Sequence, residues 1–419
     1  MAIQEQVTME VLSFVRRFPC LSQTFVAQQY LGLKELGVSL TILADGGDDH
    51  DWVHTDMANR ELLPQVRYHH IPASRRQRLL PALRLLALGP PPGLLKRLGL
   101  LNPWYGGMEA ASLRLLFQAA TVSACRPPDL LHAHFGPLGA MVAALRQAGV
   151  VEAPLITTFY GYDVSRTPAH TYRYLFQSGD LHLVLSQRMG LRLMEMGAPP
   201  EKIVIHPLGV NLALFHPRAA AVHPTLNILS VARLVPKKGI ADGLRAIAAA
   251  AAQIPLHYTI IGDGPCRAEL EALAASLKIA DRVTFLGGRP NQDVLDYLHH
   301  SDLLLAPSVT APDGDAEGTP MVILEAQAAG IPVLSTYHAG ITEIVVPGES
   351  AKLVAEHDWL AMQEGILELT SPSRRQQMGD VGRAFVERHH DSRQLSQRLF
   401  ECYAAVNSQY SGRRPRQIF

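Results

Sequence analysis

The chain has few cysteines, no excess of either charge sign and no long uncharged apolar run. Its four cysteines lie far apart without a CxxC pair, which excludes the usual zinc-ligand spacing and a dense disulfide framework. Lysine plus arginine (38) equals aspartate plus glutamate (38), so the basic surplus of a general nucleic-acid binder is missing. No uncharged run reaches the ~20 apolar residues of a membrane-spanning helix. We therefore expect a soluble globular enzyme with reduced thiols.

The N-terminal segment, MAIQEQVTMEVLSFVRRF, has charged residues before its apolar run and no small-residue cleavage site. This pattern is not that of a secretory signal, so we expect a cytoplasmic protein. At 419 residues, of which 47% are hydrophobic, the chain is too long for one core. It fits two domains of roughly 200 residues each.

Strand-like apolar runs alternate with helical stretches in both halves of the chain. The first half has runs at 9–15, 39–44, 130–133, 155–159, 181–185 and 203–206. The second half has runs at 226–231, 256–261, 282–286, 303–306, 332–335 and 351–354. The alternation predicts the α/β class, with two doubly wound parallel sheets covered by helices on both faces. A helix is expected to begin near Ser22 or Thr24, and others to cover 110–125 and 139–148.

The segment 206–224 is rich in proline and histidine and interrupts this alternation. We interpret it as a linker between a first domain, 1–205, and a second domain, 225–390. The remaining segment, 391–419, contains a helical stretch that could pack back on the first domain. Two such domains in series predict a central cleft, with ligands at the carboxyl ends of the strands.

One segment, 62–108, contains basic residues but no acidic ones, and leucines and a PPP run lie between them. The basic residues are Arg67, Arg75, Arg76, Arg78, Arg84, Lys96 and Arg97. Such a basic, Leu-rich surface suits docking on an anionic membrane surface. The alternative is an ordinary helical excursion from the sheet with solvated charges.

The strongest chemical signal is a candidate anion site in the second half. Arg233 and Lys238 follow a strand-like run and can make charge-assisted hydrogen bonds to phosphate. Further along, Gly318, Thr319, Pro320 and Met321 form the start of a helix, whose free amides attract an anion. Pro320 is expected at the first helical position, where its missing N–H costs nothing.

Two carboxylates flank this helix start at the spacing that a nucleotide sugar needs. Glu325 would lie five residues into the helix, about 7.5 Å along its axis. There it can accept hydrogen bonds from the hydroxyl groups of a ribose. Glu317 precedes the helix and can hold hydroxyls of the transferred sugar. The turn IIGDGP, with Gly262 and Gly264, is expected to form a wall of the nucleotide pocket. The alternative is that both glutamates are surface residues.

Other polar clusters are more ambiguous. Asp313 and Asp315 form an Asp-x-Asp pair that could bind a divalent metal, but a turn is the preferred interpretation. His132 and His134 fall on one face of a strand. A two-histidine metal site is one alternative, but we expect His134 to reach the cleft and His132 to pack internally.

Tyr160 and Asp163 follow another strand, in TTFYGYDVS. They could contact the molecule that accepts the sugar there, or they could pack within the loop.

These motifs resemble glycosyltransferase family 4, whose members are retaining enzymes of the GT-B architecture. The resemblance is carried by VARLVPKKG, IGDGP, APSVTAPDGDAEGTPMVILEAQAAGIPVLST and HAGITEIV, with HAHFG and FYGYD in the first half. RFPCLSQTF is similar to the bacterial and cyanobacterial branch that builds exopolysaccharide, such as colanic-acid-type transferases. Many members carry His where this chain has Tyr160, which is a departure on the acceptor side.

The resemblance implies two Rossmann-like domains and no metal or other cofactor. It implies Arg233 and Lys238 on the diphosphate of a nucleotide-sugar donor, Glu325 on the ribose hydroxyls and Glu317 on the donor sugar. It also implies His134 near the sugar and phosphate. The catalytic set is then Glu317, His134, Lys238 and Arg233.

The expected reaction moves a hexosyl group to a saccharide or lipid-linked saccharide acceptor, with the anomeric configuration retained. The enzyme would act in the cytoplasm, including the inner face of the plasma membrane. A GT-B nucleotide-sugar epimerase is the main alternative. A phosphorylase is disfavoured because no lysine context for pyridoxal phosphate is found, and a binding module without activity is disfavoured by the intact anion site.

Overall fold

The computed structural model describes residues 9–20, 23–47, 61–89, 92–216 and 224–413. The chain divides into two compact units. Unit 1 consists of Met1–His206 and Ser396–Phe419, and unit 2 of Pro207–Leu395. Each unit has its own parallel sheet flanked by helices, which confirms the predicted α/β class with two doubly wound domains.

The sheet of unit 1 has seven parallel strands in the order β3-β2-β1-β4-β5-β6-β7. The strands are β1 Glu10–Arg17, β2 Ser39–Gly46, β3 Val66–Tyr68, β4 Leu130–His134, β5 Leu155–Thr158, β6 Leu181–Val184 and β7 Ile203–Ile205. Every residue of β4 and β5 is buried, because helices cover both faces of a parallel sheet. The edge strand β3 contains Arg67 and Tyr68, which are exposed.

The helices of unit 1 are α1 Thr24–Glu35, α2 Arg75–Leu88, α3 Leu94–Gly99, α4 Pro103–Ala111, α5 Arg114–Ser123, α6 Gly136–Gln147, α7 Gly161–Ser165, α8 Arg173–Ser178 and α9 Gln187–Glu195. The C-terminal helix, α16 Ser392–Arg413, belongs to this unit from Ser396 onward. Its Leu399, Tyr403 and Val406 are part of the core that surrounds β1 and α1.

The sheet of unit 2 has six parallel strands in the order β10-β9-β8-β11-β12-β13. They are β8 Leu226–Val231, β9 Leu256–Ile261, β10 Val283–Gly287, β11 Leu303–Ala306, β12 Val333–Thr336 and β13 Ala351–Val354. The helices are α10 Ile240–Ala251, α11 Arg267–Ser276, α12 Asn291–His300, α13 Met321–Ala328, α14 Trp359–Glu368 and α15 Pro372–His389. The strand order reverses direction between β8 and β11, so their carboxyl ends form the switch point of this unit.

All twelve predicted strands are present, each within two residues of its predicted bounds. The sequence pattern missed β3, because three residues with Arg and Tyr among them form no apolar run. The predicted helix at 110–125 is instead the end of α4 and the whole of α5. Leu113, between them, has a left-handed φ of 65° that breaks the helix.

Two further expectations differ from the structure. Thr24 is the first residue of α1, and the preceding Gln23 makes no side-chain cap, so Thr24 is not a helix cap. Ser22 lies outside the described residues. Of the predicted linker, the described residues after His206 belong to unit 2. Val210 pairs there with Asp391, and His390 donates from Nδ1 to the carbonyl of Leu208.

Candidate active site

The loops that follow β8 and β11 are in close backbone contact at the switch point of unit 2. Gly239, at the start of α10, has a left-handed φ of 62°. A Cβ at this position would lie 1.8 Å from the carbonyl oxygen of Pro307. The amide of Val309 donates to the carbonyl of Lys237 at 2.8 Å. This close approach fixes the short helical turn Pro236–Lys238, and Lys238 lines a small cavity together with Pro320.

Lys238 and Glu317 form an ion pair in which Nζ lies 2.9 Å from Oε1. The side chains of Lys238 and Glu317 are only 17% and 8% exposed, so the pair is well shielded from water. Burial raises the pKa of Glu317, but the charges of Lys238 and Lys237 outweigh it and the net pKa is lowered. Glu317 is therefore ionised at neutral pH. Lys237 itself contacts Asp315, at 3.2 Å.

The backbone of Glu317 is held by a histidine that the sequence analysis did not single out. The Glu317 amide donates to Nε2 of His338 at 3.0 Å. Nδ1 of His338 lies 2.6 Å from Oε1 of Glu356, whose Oε2 accepts from the amide of Thr310. An imidazole that accepts at Nε2 carries its neutral-form proton on Nδ1, so it donates to Glu356. The only sequence signal for His338 is its position in HAGITEIV, a segment that carries the family resemblance.

Next to His338, a short helical turn covers Ala339–Glu343. A Cβ on Gly340 would lie 2.3 Å from the carbonyl oxygen of Gly318, so this turn presses on the loop that precedes α13. Thr319 has a hydroxyl that is closed to solvent and has no hydrogen-bond partner among the described residues. A buried hydroxyl of this kind is available to a ligand.

Helix α13 begins one residue later than predicted. Pro320 is the N-cap, with φ −72° and ψ 106°, and Met321 is the first helical residue. The first amides of a helix have no intrahelical partners, so the amide donors of the predicted anion site begin with Met321. Pro320 sets the direction in which the chain enters the helix, and it has no N–H to donate.

Glu325 lies on α13 with no hydrogen bond or ion pair to its carboxylate within the described part of the chain. Burial raises its pKa to about 7. The two predicted carboxylates of the site therefore differ in state. Glu317 is ionised and paired with a lysine, while Glu325 is unpaired and titrates near neutral pH.

Arg233 is exposed, and its guanidinium makes no hydrogen bond or ion pair with another described residue. The two predicted glycines lie beside it. A Cβ on Gly262 would lie 1.9 Å from the carbonyl oxygen of Ala232, and one on Gly264 would lie 2.5 Å from that of Leu234. Glycine is therefore required at both positions, because the loop after β9 packs closely against the loop after β8.

His134, predicted to reach the ligand, is fully buried in unit 1. Its Nδ1 lies 2.9 Å from the hydroxyl of Tyr160, and burial lowers its pKa to about 3. Its Nε2 has no hydrogen-bond partner among the described residues, so a role of His134 toward the ligand stays a prediction. Its ring is 4.3 Å from that of His132, as their spacing on one face of β4 requires.

His132 is also buried, and both of its ring nitrogens bind protein groups. Nδ1 lies 2.5 Å from the hydroxyl of Tyr403, and Nε2 lies 2.8 Å from that of Thr158. A two-histidine metal site would need these nitrogens. Within the described ranges, no three His, Cys, Asp or Glu side chains are grouped as a metal site.

Tyr160 and Asp163, predicted to meet the acceptor, are buried as well. Oδ2 of Asp163 accepts from the amides of Tyr160 and Gly136, at 2.9 and 3.0 Å. It ties the start of α7 to the start of α6. Burial raises the pKa of Asp163 to about 7 despite these hydrogen bonds. These hydrogen bonds fit the loop-packing alternative, and the acceptor-side role of Tyr160 and Asp163 stays a prediction.

Asp313 and Asp315 form a turn. Oδ1 of Asp313 accepts from the amide of Asp315 at 3.1 Å. Oδ1 of Asp315 lies 3.2 Å from Nζ of Lys237. The turn interpretation of this Asp-x-Asp pair is therefore confirmed, and Asp315 serves to position a lysine of the site.

The chain matches two family models. Residues 22–209 match a glycosyl transferase 4-like domain, and residues 216–385 match glycosyl transferases group 1. The chain belongs to glycosyltransferase family 4, of the GT-B architecture. The predicted family and fold are thereby confirmed.

The chain is similar to glycosyltransferases named for exopolysaccharide biosynthesis. It is 35% identical to WcaL of Salmonella typhimurium, named for colanic acid biosynthesis, over 86% of this chain and 91% of that protein. It is 32% identical to the amylovoran biosynthesis glycosyltransferase AmsK of Erwinia amylovora, over 86% and 91% of the two chains. These relatives are transferases and give no support to the epimerase alternative.

Solved structures share the fold at low sequence identity. HepE of Anabaena, in a crystal structure with UDP-glucose, has a TM-score of 0.68 at 19% identity, over 95% of this chain and 100% of that chain. Sucrose-phosphate synthase of Thermosynechococcus elongatus has a TM-score of 0.70 at 17% identity, over 96% and 100%. No helix within the described residues has the length and apolar character to cross a bilayer.

Proposed function

We propose that this glycosyltransferase moves a hexosyl group from a nucleotide diphosphate sugar to a hydroxyl group of a saccharide or lipid-linked saccharide, with retention of configuration, in exopolysaccharide synthesis. The observation that carries the proposal is the cluster at the switch point of unit 2. There Lys238 lines the same cavity as the start of α13, and its ammonium is paired with Glu317. Arg233 has no hydrogen-bond or ion-pair partner among the described residues. The names of WcaL and AmsK support the pathway, and the UDP-glucose bound to HepE supports the donor class.

In the proposed donor complex, the diphosphate binds to Arg233, Lys238 and the first amides of α13. Negative charge grows on the diphosphate as the glycosyl bond breaks, and fixed positive groups stabilise it without reorganisation. We assign the ribose hydroxyls to Glu325 and the hydroxyls of the transferred sugar to Glu317. The Thr319 hydroxyl, which has no partner among the described residues, is a further donor for the phosphate.

The proposed transfer takes place on one face of the sugar. The bond from the anomeric carbon to the diphosphate oxygen breaks, and the acceptor oxygen bonds to the same face. The departing phosphate oxygen takes the acceptor's proton, so nucleoside diphosphate and glycoside are the products. This scheme uses no second carboxylate behind the sugar, unlike the two-carboxylate scheme of glycosidases. No step is assigned to Tyr160 or Asp163. The catalytic role of His134, whose Nε2 has no hydrogen-bond partner among the described residues, stays a prediction from the family resemblance.

We propose that this reaction needs no divalent metal or other cofactor, since Arg233 and Lys238 supply the positive charge for the diphosphate. An assay with and without EDTA tests this point. Equal rates are expected. A rate that collapses with EDTA and returns with Mg²⁺ or Mn²⁺ would contradict it.

The central experiment is a thermal-shift panel with UDP, GDP and ADP, followed by NMR analysis of the transferred product. A ligand that binds only the folded state raises the melting temperature by mass action. One nucleotide is expected to stabilise the protein most, and its hexose conjugates then serve as donors. A product with inverted anomeric configuration refutes retention, and conversion of the donor in the absence of acceptor would indicate an epimerase.

We also propose that the acceptor is carried on a lipid and that the enzyme works at the anionic inner face of the plasma membrane. Support comes from unit 1, where the segment 79–108 contains ten of the eighteen large hydrophobic residues that are exposed in the described part of the chain. The basic residues of the same segment supply the opposite charge to anionic headgroups.

A further inference from the structure

Helix α2 turns an apolar face to solvent. Its exposed leucines are Leu79, Leu80, Leu83 and Leu88, which are 54%, 62%, 61% and 86% exposed. At about 100° per residue, Leu79, Leu83 and Leu80 fall within an arc of about 100°, and Leu88 lies about 80° further round. Arg78 and Ala82, outside this range, are buried. A contiguous exposed apolar surface marks a site that contacts a protein, a membrane or a ligand.

This apolar face opens into an apolar groove of about 950 Å³. One wall is the end of α2, with Arg84, Leu85 and Leu88. The other walls are the edge strand β3 and helix α5. Nearly all of its exposed lining is apolar, and its volume is at the upper end of the ~300–1,000 Å³ of small-molecule sites.

The lining of the groove includes two arginines and no acidic residue. Arg84 is exposed and makes no hydrogen bond or ion pair with a described residue. Arg67 reaches the carbonyl of Ala124, at 3.5 Å, and the thiol of Cys125. Arg78 and Arg97 of the same segment are different, because their guanidinium groups bind backbone carbonyls and stabilise the local fold.

We infer that this groove binds one hydrocarbon chain of a phosphate-bearing membrane lipid, with Arg84 and Arg67 at the phosphate. The apolar groove provides the volume for the chain, and the exposed leucines of α2 lie among the neighbouring chains of the leaflet. Covering this face with a second copy of the protein would bring like charges together, since a two-fold contact joins the same patch, with both arginines, from each copy. A lipid phosphate has the opposite charge.

This inference rests on the proposed function only for the reason why the enzyme meets a membrane. It is tested without donor or acceptor, so a failure of transfer and a failure of lipid binding are separate results. The full chain is sedimented with vesicles of phosphatidylcholine alone and of phosphatidylcholine mixed with phosphatidylglycerol. Phosphatidylglycerol with a diazirine at the end of one acyl chain then locates the chain by photo-crosslinking and mass spectrometry.

Sedimentation is expected with the anionic vesicles, and crosslinks are expected on β3, α5 and the end of α2. Ala120→Trp fills the groove from α5 and is expected to reduce crosslinking by about tenfold or more, because chain burial drives such binding. The same change at the exposed Ala272 of α11 is the control. Leu88→Asn, at the exposed mouth, repeats the test if Ala120→Trp does not fold, with Leu191→Asn as its control.

Arg84→Glu is expected to weaken binding to the anionic vesicles roughly 30-fold, at ~1 kcal/mol for each unit of charge near the surface. Arg388→Glu, on α15, has the same effect on net charge and should leave binding unchanged. The inference is overturned if anionic vesicles do not sediment the protein, or if crosslinks avoid the groove lining. A concentration-dependent dimer that Ala120→Trp abolishes would also overturn it, because a second copy would then occupy the groove.

Discussion

Lys238 and Glu317 bring opposite charges within 2.9 Å of each other, with little exposure to solvent. The charges of Lys238 and Lys237 keep Glu317 ionised, and its lowered pKa reflects this. A donor diphosphate would compete with Glu317 for the lysine. The carboxylate would then be available to the hydroxyls of the sugar, so one pair serves both parts of the donor.

Lys238→Met is expected to lower kcat by about 100- to 1,000-fold, the loss typical of one group that stabilises transition-state charge. Steady-state transfer kinetics measure it. Lys352→Met is the matched control, because Lys352 forms an ion pair of the same 2.9 Å length with Glu368, at the surface of unit 2. If both variants kept the wild-type rate, Lys238 would have no place in the site.

Glu325 gives the site a pH dependence. Its pKa of about 7 means that the carboxylate is protonated as the pH falls below 7 and then loses acceptor capacity for two ribose hydroxyls. Nucleotide affinity is therefore expected to fall from pH 8 to pH 6, as measured by calorimetry. Glu325→Gln should bind more weakly at pH 8 and show a flatter profile. An unchanged profile in this variant would assign the titration to another group.

The same carboxyl group lowers the stability of the fold at high pH. Its folded pKa of about 7 is above the ordinary value of 4.5, so the folded state holds the proton more tightly. Stability from this group is complete below pH 4.5 and is lost as the pH rises through 7. Glu325→Gln should thus melt at a higher temperature than wild type at pH 8.

At the scale of elements, the short turn after β12 supports the loop of Glu317. His338 is 1% exposed and joins two segments, since it accepts from the Glu317 amide and donates to Glu356. It contacts neither charge of the Lys238 pair through its ring nitrogens, so its role is to position the loop.

His338→Ala is expected to reduce kcat by about tenfold or more, because a displaced loop misplaces Glu317 relative to the sugar. His338→Gln, which retains an acceptor and a donor, should recover part of the loss. Nucleotide affinity, measured in parallel, should change much less than kcat. A general loss of melting temperature that tracks the loss of rate in both variants would indicate a structural role alone.

The glycines after β9 belong to the same scale. Gly262 has a φ of 133°, which L side chains rarely adopt, and it lies against the carbonyl of Ala232. Gly262→Ala should destabilise the protein by about 1–3 kcal/mol or more, the typical range for strained backbone. Chemical denaturation measures this change. Gly288→Ala, whose Cβ would meet open space, is the control and should be nearly neutral.

At the scale of the whole molecule, the C-terminal helix completes unit 1. Tyr403 is buried and its hydroxyl binds His132 at the centre of the sheet. Tyr403→Phe removes this partner and leaves a buried ring nitrogen unsatisfied, which costs about 1–3 kcal/mol. We expect a lower melting temperature for unit 1, and differential scanning calorimetry measures it. Tyr297→Phe, at an exposed position of unit 2, should change neither transition. If Tyr403→Phe melts like wild type, the hydrogen bond to His132 contributes no stability.

Much of the fold could be predicted from the sequence. Buried parallel strands are continuous apolar runs, so β8, β9, β11 and β13 were located to the residue. The strand β3 has no such run, and its place at the sheet edge depends on pairing with β2. The break at Leu113 also has no local signal, because a left-handed leucine is sustained by its surroundings.

The sequence by itself determined the fold class, the family and the residues around the anion site, because strand periodicity, glycine turns and charged pairs are local features. Only the tertiary structure decided which side chains are accessible. It buried His134, Tyr160 and Asp163, left Glu325 without a partner in the part of the chain that the structure describes, and brought His338 to the amide of Glu317. Burial and pairing depend on residues distant in sequence, and the pKa values that set the chemistry follow from them.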